Sequence, residues 1–128
     1  MKANELTIGD WVRVPKNADG DFYAAQVSEI KQGEEHYYCN IPGPDGNDSI
    51  RCDYLSPIPL TREILEKNGW KEAVLRHWNI EEDFALEKGE DGNMFWFLRG
   101  VSLVCSLNFV HELQHALRLC GVEKEITL

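Results

Sequence analysis

Short apolar-alternating segments, cut apart by turn-forming residues, fill the first 58 positions and leave little room for anything but strands. The segments are "DWVRVP", "DFYAAQVSEI", "EEHYYCNI" and "SIRCDYL", and between them lie "KNADG", "KQG" and "PGPDGND". The cluster Pro42-Gly43-Pro44-Asp45-Gly46 is a strong breaker, because proline cannot donate to a strand ladder and glycine supplies positive φ. A period of two sorts the faces: Val12 and Val14 point one way and Trp11 and Arg13 the other, while Ile50, Cys52 and Tyr54 oppose Arg51 and Asp53. Strands this short and this few are unstable as a flat sheet, so residues 1–58 are expected to curl into a small β-barrel.

"SPIPLTREILEKNGW" marks the join to the second half. Thr61 caps a helix start, Leu60 and Leu65 form a hydrophobic staple, and Asn68-Gly69 ends the helix. "KEAVLRHWNI" reads equally as a short helix or a strand. "DFALEKGEDGNMFWFLRG" reads as a hairpin around Gly89-Glu90-Asp91-Gly92, and "VSLVCSLNF" follows as a further strand. Asn108 is expected to cap a last helix that Gly121 ends, with "EITL" as a final strand. The predicted fold is therefore α+β: a barrel over 1–58, then a helix, antiparallel strands and a C-terminal helix over 59–128, the two parts sharing one continuous core.

Charge and composition narrow the function. Residues 1–58 carry 5 basic and 10 acidic side chains and residues 59–128 carry 8 and 12, which makes the formal net charge of -9 a property of the whole length. Such a field repels phosphate backbones, and no basic run offsets it, so no nucleic-acid partner is expected. The longest apolar run, near "VSLVCSLNFV", is too short and polar to span a bilayer, and "MKANELTIGDW" lacks an apolar targeting region. No membrane role is expected. Cys39, Cys52, Cys105 and Cys120 form neither C-x-x-C pairs nor a dense scaffold, and read as reduced, mostly buried thiols of a cytoplasmic protein.

Two resemblances follow from these segments. "LTIGDWVRV" followed by "FYAAQVSEI" resembles SH3-like barrels of the KOW and Tudor type, over less than half the chain. Members of that group bind peptides or modified residues in aromatic grooves, which implies a binding surface at Trp11, Tyr23 and Tyr38. The competing reading is that these rings fill or edge a core. Across nearly its whole length, through "ANELTIGDWV", "PIPLTREILEKNGW" and "FVHELQHAL", the chain resembles small uncharacterised proteins common in gut Bacteroidales and their phages and mobile elements. That resemblance implies a genomic setting and no chemistry.

The run His111-Glu112-Leu113-Gln114-His115 has the H-E-x-x-H spacing of zinc metallopeptidases, in which two imidazoles one helical turn apart hold zinc and the glutamate activates a bound water. It fixes only three positions, so it arises by chance in ~1% of shuffled chains of this composition. A third ligand is also required. Arg118 and Gly121 stand where the metzincin extension needs glycine and histidine, leaving Glu123, Glu125, His36, His77 or Asp83 to complete the site. Helical periodicity places Phe109, Val110, Leu113, Ala116, Leu117 and Cys120 on one face and shows His111 and His115 to water on the other. No calcium loop, phosphate loop or nucleotide signature occurs.

The reading is thus a non-enzymatic cytoplasmic accessory or adaptor protein that contacts another protein or a second copy of itself, with no cofactor. The alternative is a small zinc-dependent metallopeptidase with His111 and His115 as metal ligands and Glu112 as general base.

Overall fold

The computed structural model describes every residue except Pro44, Asp45, Glu82, Asp91, Gly92 and Asn93, together with the side chain of Glu81. Part of the Pro42–Gly46 breaker and of the expected Gly89–Gly92 turn therefore lies outside the described residues. The chain divides into two compact units, Met1–Ile58 and Pro59–Leu128.

The described residues of the first unit form six short strands: β1 (Trp11–Pro15), β2 (Phe22–Gln26), β3 (Glu29–Gln32), β4 (Tyr37–Gly43), β5 (Gly46–Arg51) and β6 (Ser56–Pro57). They form two antiparallel sheets, ordered β2-β1-β6 and β3-β4-β5. The expected SH3-like barrel is not there, because among the described residues no strand pairing joins one sheet to the other. The reason sits at Val27-Ser28. The segment that read as one long strand bends there and changes partners: Val27 N–H still donates to Asp10 at 2.9 Å, whereas Ser28 donates to the Asn40 carbonyl from both its N–H and its Oγ, each at 2.9 Å. A strand that switches sheets at a corner yields two layers with open edges. Their inward side chains, Val12, Val14, Ala25, Val27, Cys39, Ile41, Cys52 and Leu55, make one buried cluster.

Asp10 anchors the start of this unit. Its carboxylate, fully buried, accepts from Thr7 N–H at 2.8 Å and from Thr7 Oγ1 at 3.0 Å, closing the turn that leads into β1.

The second unit opens with α1 (Arg62–Lys67), continues through β7 (Lys71–Val74), β8 (His77–Glu81), β9 (Phe84–Lys88), β10 (Phe95–Arg99) and β11 (Ser102–Leu107), and ends with α2 (Val110–Leu119). The five strands make one antiparallel sheet in the order β11-β10-β9-β8-β7. The register aligns Trp78, Leu86, Phe97 and Cys105 across it. Cross-strand partners share a face, so the sheet turns one aromatic side inward. Trp78 meets Phe95 at 5.8 Å, and Phe84 stacks on Phe97 at 5.6 Å. The ambiguous "KEAVLRHWNI" is the β7–β8 hairpin, turned by Arg76 at φ 62. With strand far exceeding helix among the described residues, the fold is β-rich and antiparallel, and the α+β expectation is corrected.

Both helices end in the same way. At α1, Gly69 (φ 84) follows the last helical turn, its N–H bonds to Glu66 O, and Trp70 N–H reaches back to Leu65 O. At α2, Gly121 (φ 73) bonds to Arg118 O and Val122 N–H to Leu117 O. This is the Schellman arrangement, whose αL position favours glycine and whose flanking apolar pair, here Leu65 with Trp70 and Leu117 with Val122, is buried. The expected last strand at "EITL" is absent. Instead Ile126 is buried and Thr127 is held by the Asn68 side chain.

Candidate binding surface

The outer face of the β3-β4-β5 sheet carries a group of polar and aromatic side chains. β4 alternates, with Cys39 and Ile41 inward, which sends Tyr38 and Asn40 outward. Register places Lys31 and Arg51 on either side of Tyr38, and Glu29 and Ser49 on either side of Asn40. After β5 the chain tightens into a short 3-10 turn at Cys52–Tyr54. That turn tucks Cys52 into the core and swings Tyr54 out, so Tyr54 does not share a face with Ile50 and Cys52 as a continued strand would require.

The turn brings Asp53 and Tyr54 back onto Arg51. The guanidinium donates to Asp53 Oδ2 at 2.7 Å and to the Tyr54 hydroxyl at 3.3 Å, and it lies over the Tyr54 ring at 4.9 Å. The Asp53 carboxyl is held below its usual range, first by this hydrogen bond from Arg51. His36 Nδ1 stands 3.9 Å from the same carboxylate. Tyr38 completes the group by lying against Gly33, where an added Cβ would meet the ring at 2.7 Å. Tyr54 remains 58% exposed. Tyrosine and arginine, stiffened by each other and still open to water, are the residue types that dominate protein–protein contacts.

The three aromatics predicted from sequence are not brought together. Trp11, paired with Gln26, lies on the outer face of the β2-β1-β6 sheet. Tyr23, paired with Val14, lies on the inner face, packs against the core and edges an open depression of about 480 Å³ with Pro15, Lys16, Asp48, Ser49 and Ile50. Burial and the nearby Asp48 charge raise the Tyr23 hydroxyl pKa. Tyr38 alone belongs to the cluster above. Arg51, Asp53 and Tyr54 were missed because period-two reasoning carried the strand through them. The available signal was the R-C-D-Y spacing, in which a tight turn folds Asp53 and Tyr54, two and three residues on, back onto the arginine.

On α2 the histidines are less open to water than the periodicity suggests, His115 being half-buried. His111 is only 7% exposed, stacks on Phe109 at 6.0 Å and meets His115 edge-on at 5.6 Å. Gln114 is buried as well, so this helix is covered over more of its circumference than one apolar stripe. Nor is Asn108 the cap. Phe109 holds the N-cap position without a side-chain acceptor, and Glu112 Oε1 accepts from both Asn108 N–H and Phe109 N–H, each at 3.0 Å. The carboxylate that a zinc peptidase would use as base is thus turned back onto its own helix terminus.

These donors do not fit a catalytic zinc. Among the described residues no three His, Cys, Asp or Glu side chains are grouped to hold a metal ion. Of the candidate third ligands, His77 faces Glu87 across β8 and β9 at 4.0 Å, His36 faces Asp53, and Asp83, Glu123 and Glu125 are exposed.

Comparison with protein-family models, with curated proteins and with solved structures finds no match to this chain.

Proposed function

We propose that this chain is a non-catalytic accessory protein that binds another protein through the outer face of β4 and the Cys52–Tyr54 turn. The observation that carries the reading is the Arg51–Tyr54 pair: a guanidinium fixed by Asp53 and stacked on a ring that stays 58% exposed. Fixing a long side chain before binding removes part of the entropy that association otherwise costs. The partner presents a carboxylate or carbonyl to Arg51 and an apolar edge to Tyr54.

The cell interior is the proposed setting. Its support is the four free thiols and the lack, among the described residues, of any helix long and apolar enough to cross a membrane. The gut-bacterial and mobile-element resemblance names the host in which the partner is sought.

The test is chemical cross-linking of the tagged chain in host lysate, compared with an Arg51→Ala/Tyr54→Ala double variant shown by circular dichroism to be folded. One partner cross-linked to the wild-type chain and lost from the variant is the expected result. Equal capture by both, or capture only of a second copy through another face, overturns the reading.

A further inference from the structure

Beneath that surface the core of the first unit holds a second feature. Cys39 on β4 and Cys52 in the 3-10 turn are 0% and 1% exposed, and their Sγ atoms stand 2.9 Å apart. Both are free thiols. The strands dictate this meeting: Cys39 is opposite Ile50, and the tight turn after Arg51 brings position 52 over the same inward site. Side chains this close, on two elements of one rigid unit, meet the main condition for a disulfide, which is that no backbone has to travel to make it.

We propose that Cys39 and Cys52 are a dithiol–disulfide pair, converted by a small-molecule disulfide such as oxidised glutathione into an intramolecular bond that ties β4 to the Cys52–Tyr54 turn. The Cys52 thiolate, exposed when the turn opens, attacks one sulfur of glutathione disulfide and releases one glutathione thiolate. The Cys39 thiolate then attacks the mixed disulfide at Cys52 and releases the second. Two electrons pass from the protein to the oxidant, the two thiol protons end on two reduced glutathiones, and one sulfur–sulfur bond replaces another. Burial shuts both sulfurs away from the oxidant in the closed unit, so opening sets the rate while the folded geometry sets the equilibrium. The new bond joins the residues that follow Tyr38 and Arg51, which are register partners, so its formation stiffens the surface those two share.

The experiment uses the unaltered chain equilibrated in glutathione redox buffers, once in native conditions and once in denaturant. Samples are quenched in acid, alkylated and mapped by mass spectrometry. A loop of this size removes enough denatured-state freedom that the native equilibrium constant for the Cys39–Cys52 bond is expected to exceed the denatured one by roughly a hundredfold. A ratio near or below one overturns the proposal, as does oxidation that links Cys105 to Cys120 or joins two chains instead. Because no substitution is needed, loss of folding cannot mimic either result.

Discussion

Asn68 grips Thr127 with both ends of its carboxamide: Oδ1 accepts from Thr127 N–H at 2.8 Å, and Nδ2 donates to Thr127 O at 2.8 Å. The side chain does for the C-terminal segment what a neighbouring strand would do, across 59 positions of sequence. Asn68→Ala removes both bonds and is expected to lower the stability of the second unit by about 1–2 kcal/mol. Native-state hydrogen exchange checks it: the Thr127 amide loses protection in the variant while the β9 and β10 amides keep theirs.

Glu112 separates a structural role from a catalytic one. It satisfies two amides at the start of α2 and sets a negative charge at the positive end of the helix dipole. Glu112→Ala is expected to cost about 1 kcal/mol in urea unfolding, and Glu112→Gln, which keeps an acceptor, about half as much or less. Equal loss in both variants would show that the carboxylate does not act as a cap.

Asp10 lies fully buried with two bonds from Thr7. Asp10→Ala strands the Thr7 donors at the entry to β1, and about 2–3 kcal/mol of stability is expected to go with it. Chemical denaturation followed by Trp fluorescence measures the loss.

The pH dependence has a definite sign at each end. Burial, followed by the Cys52 hydrogen bond, pushes the Cys39 thiol up to about 12 from an ordinary value of 9.0. A raised pKa in the folded state contributes stability that is complete below about 9 and is lost as pH climbs toward about 12. Tyr23, also raised, acts in the same direction. Asp53 is depressed, so its contribution holds above the ordinary carboxylate range and fades as pH falls through the folded value. Thermal unfolding across pH is expected to show the alkaline loss in the native chain and a smaller one in Cys39→Ala.

Parts of both units were legible one position at a time. Thr61 does accept from Ile64 N–H as an N-cap, Gly69 and Gly121 stand at the helix ends, and Val12 and Val14 point inward, because each follows from local geometry that a few neighbouring residues determine. Closure of the first unit was not legible. Whether "FYAAQVSEI" runs straight or switches sheets depends on Asn40, which waits 12 positions away to receive both donors of Ser28. The burial of His111 was hidden because a helical wheel gives the direction of a side chain and not what packs against it. The Arg51 cluster escaped because a 3-10 turn replaces a strand for three residues, a change too short for periodicity to register.

Gly33 offers a test of how the surface is shaped. An added methyl there would press on the Tyr38 ring at 2.7 Å. Gly33→Ala is expected to displace Tyr38 and weaken partner capture about tenfold while leaving the far-ultraviolet spectrum of the fold intact.

The surface assignment meets its sharpest test in hydrogen–deuterium exchange of the chain with and without the cross-linked partner. Protection gained over Tyr37–Tyr54, and absent from Val110–Leu119, is the outcome the Arg51–Tyr54 surface predicts. Protection confined to the His111–His115 turn, with Tyr37–Tyr54 exchanging as freely as in the isolated chain, would contradict it.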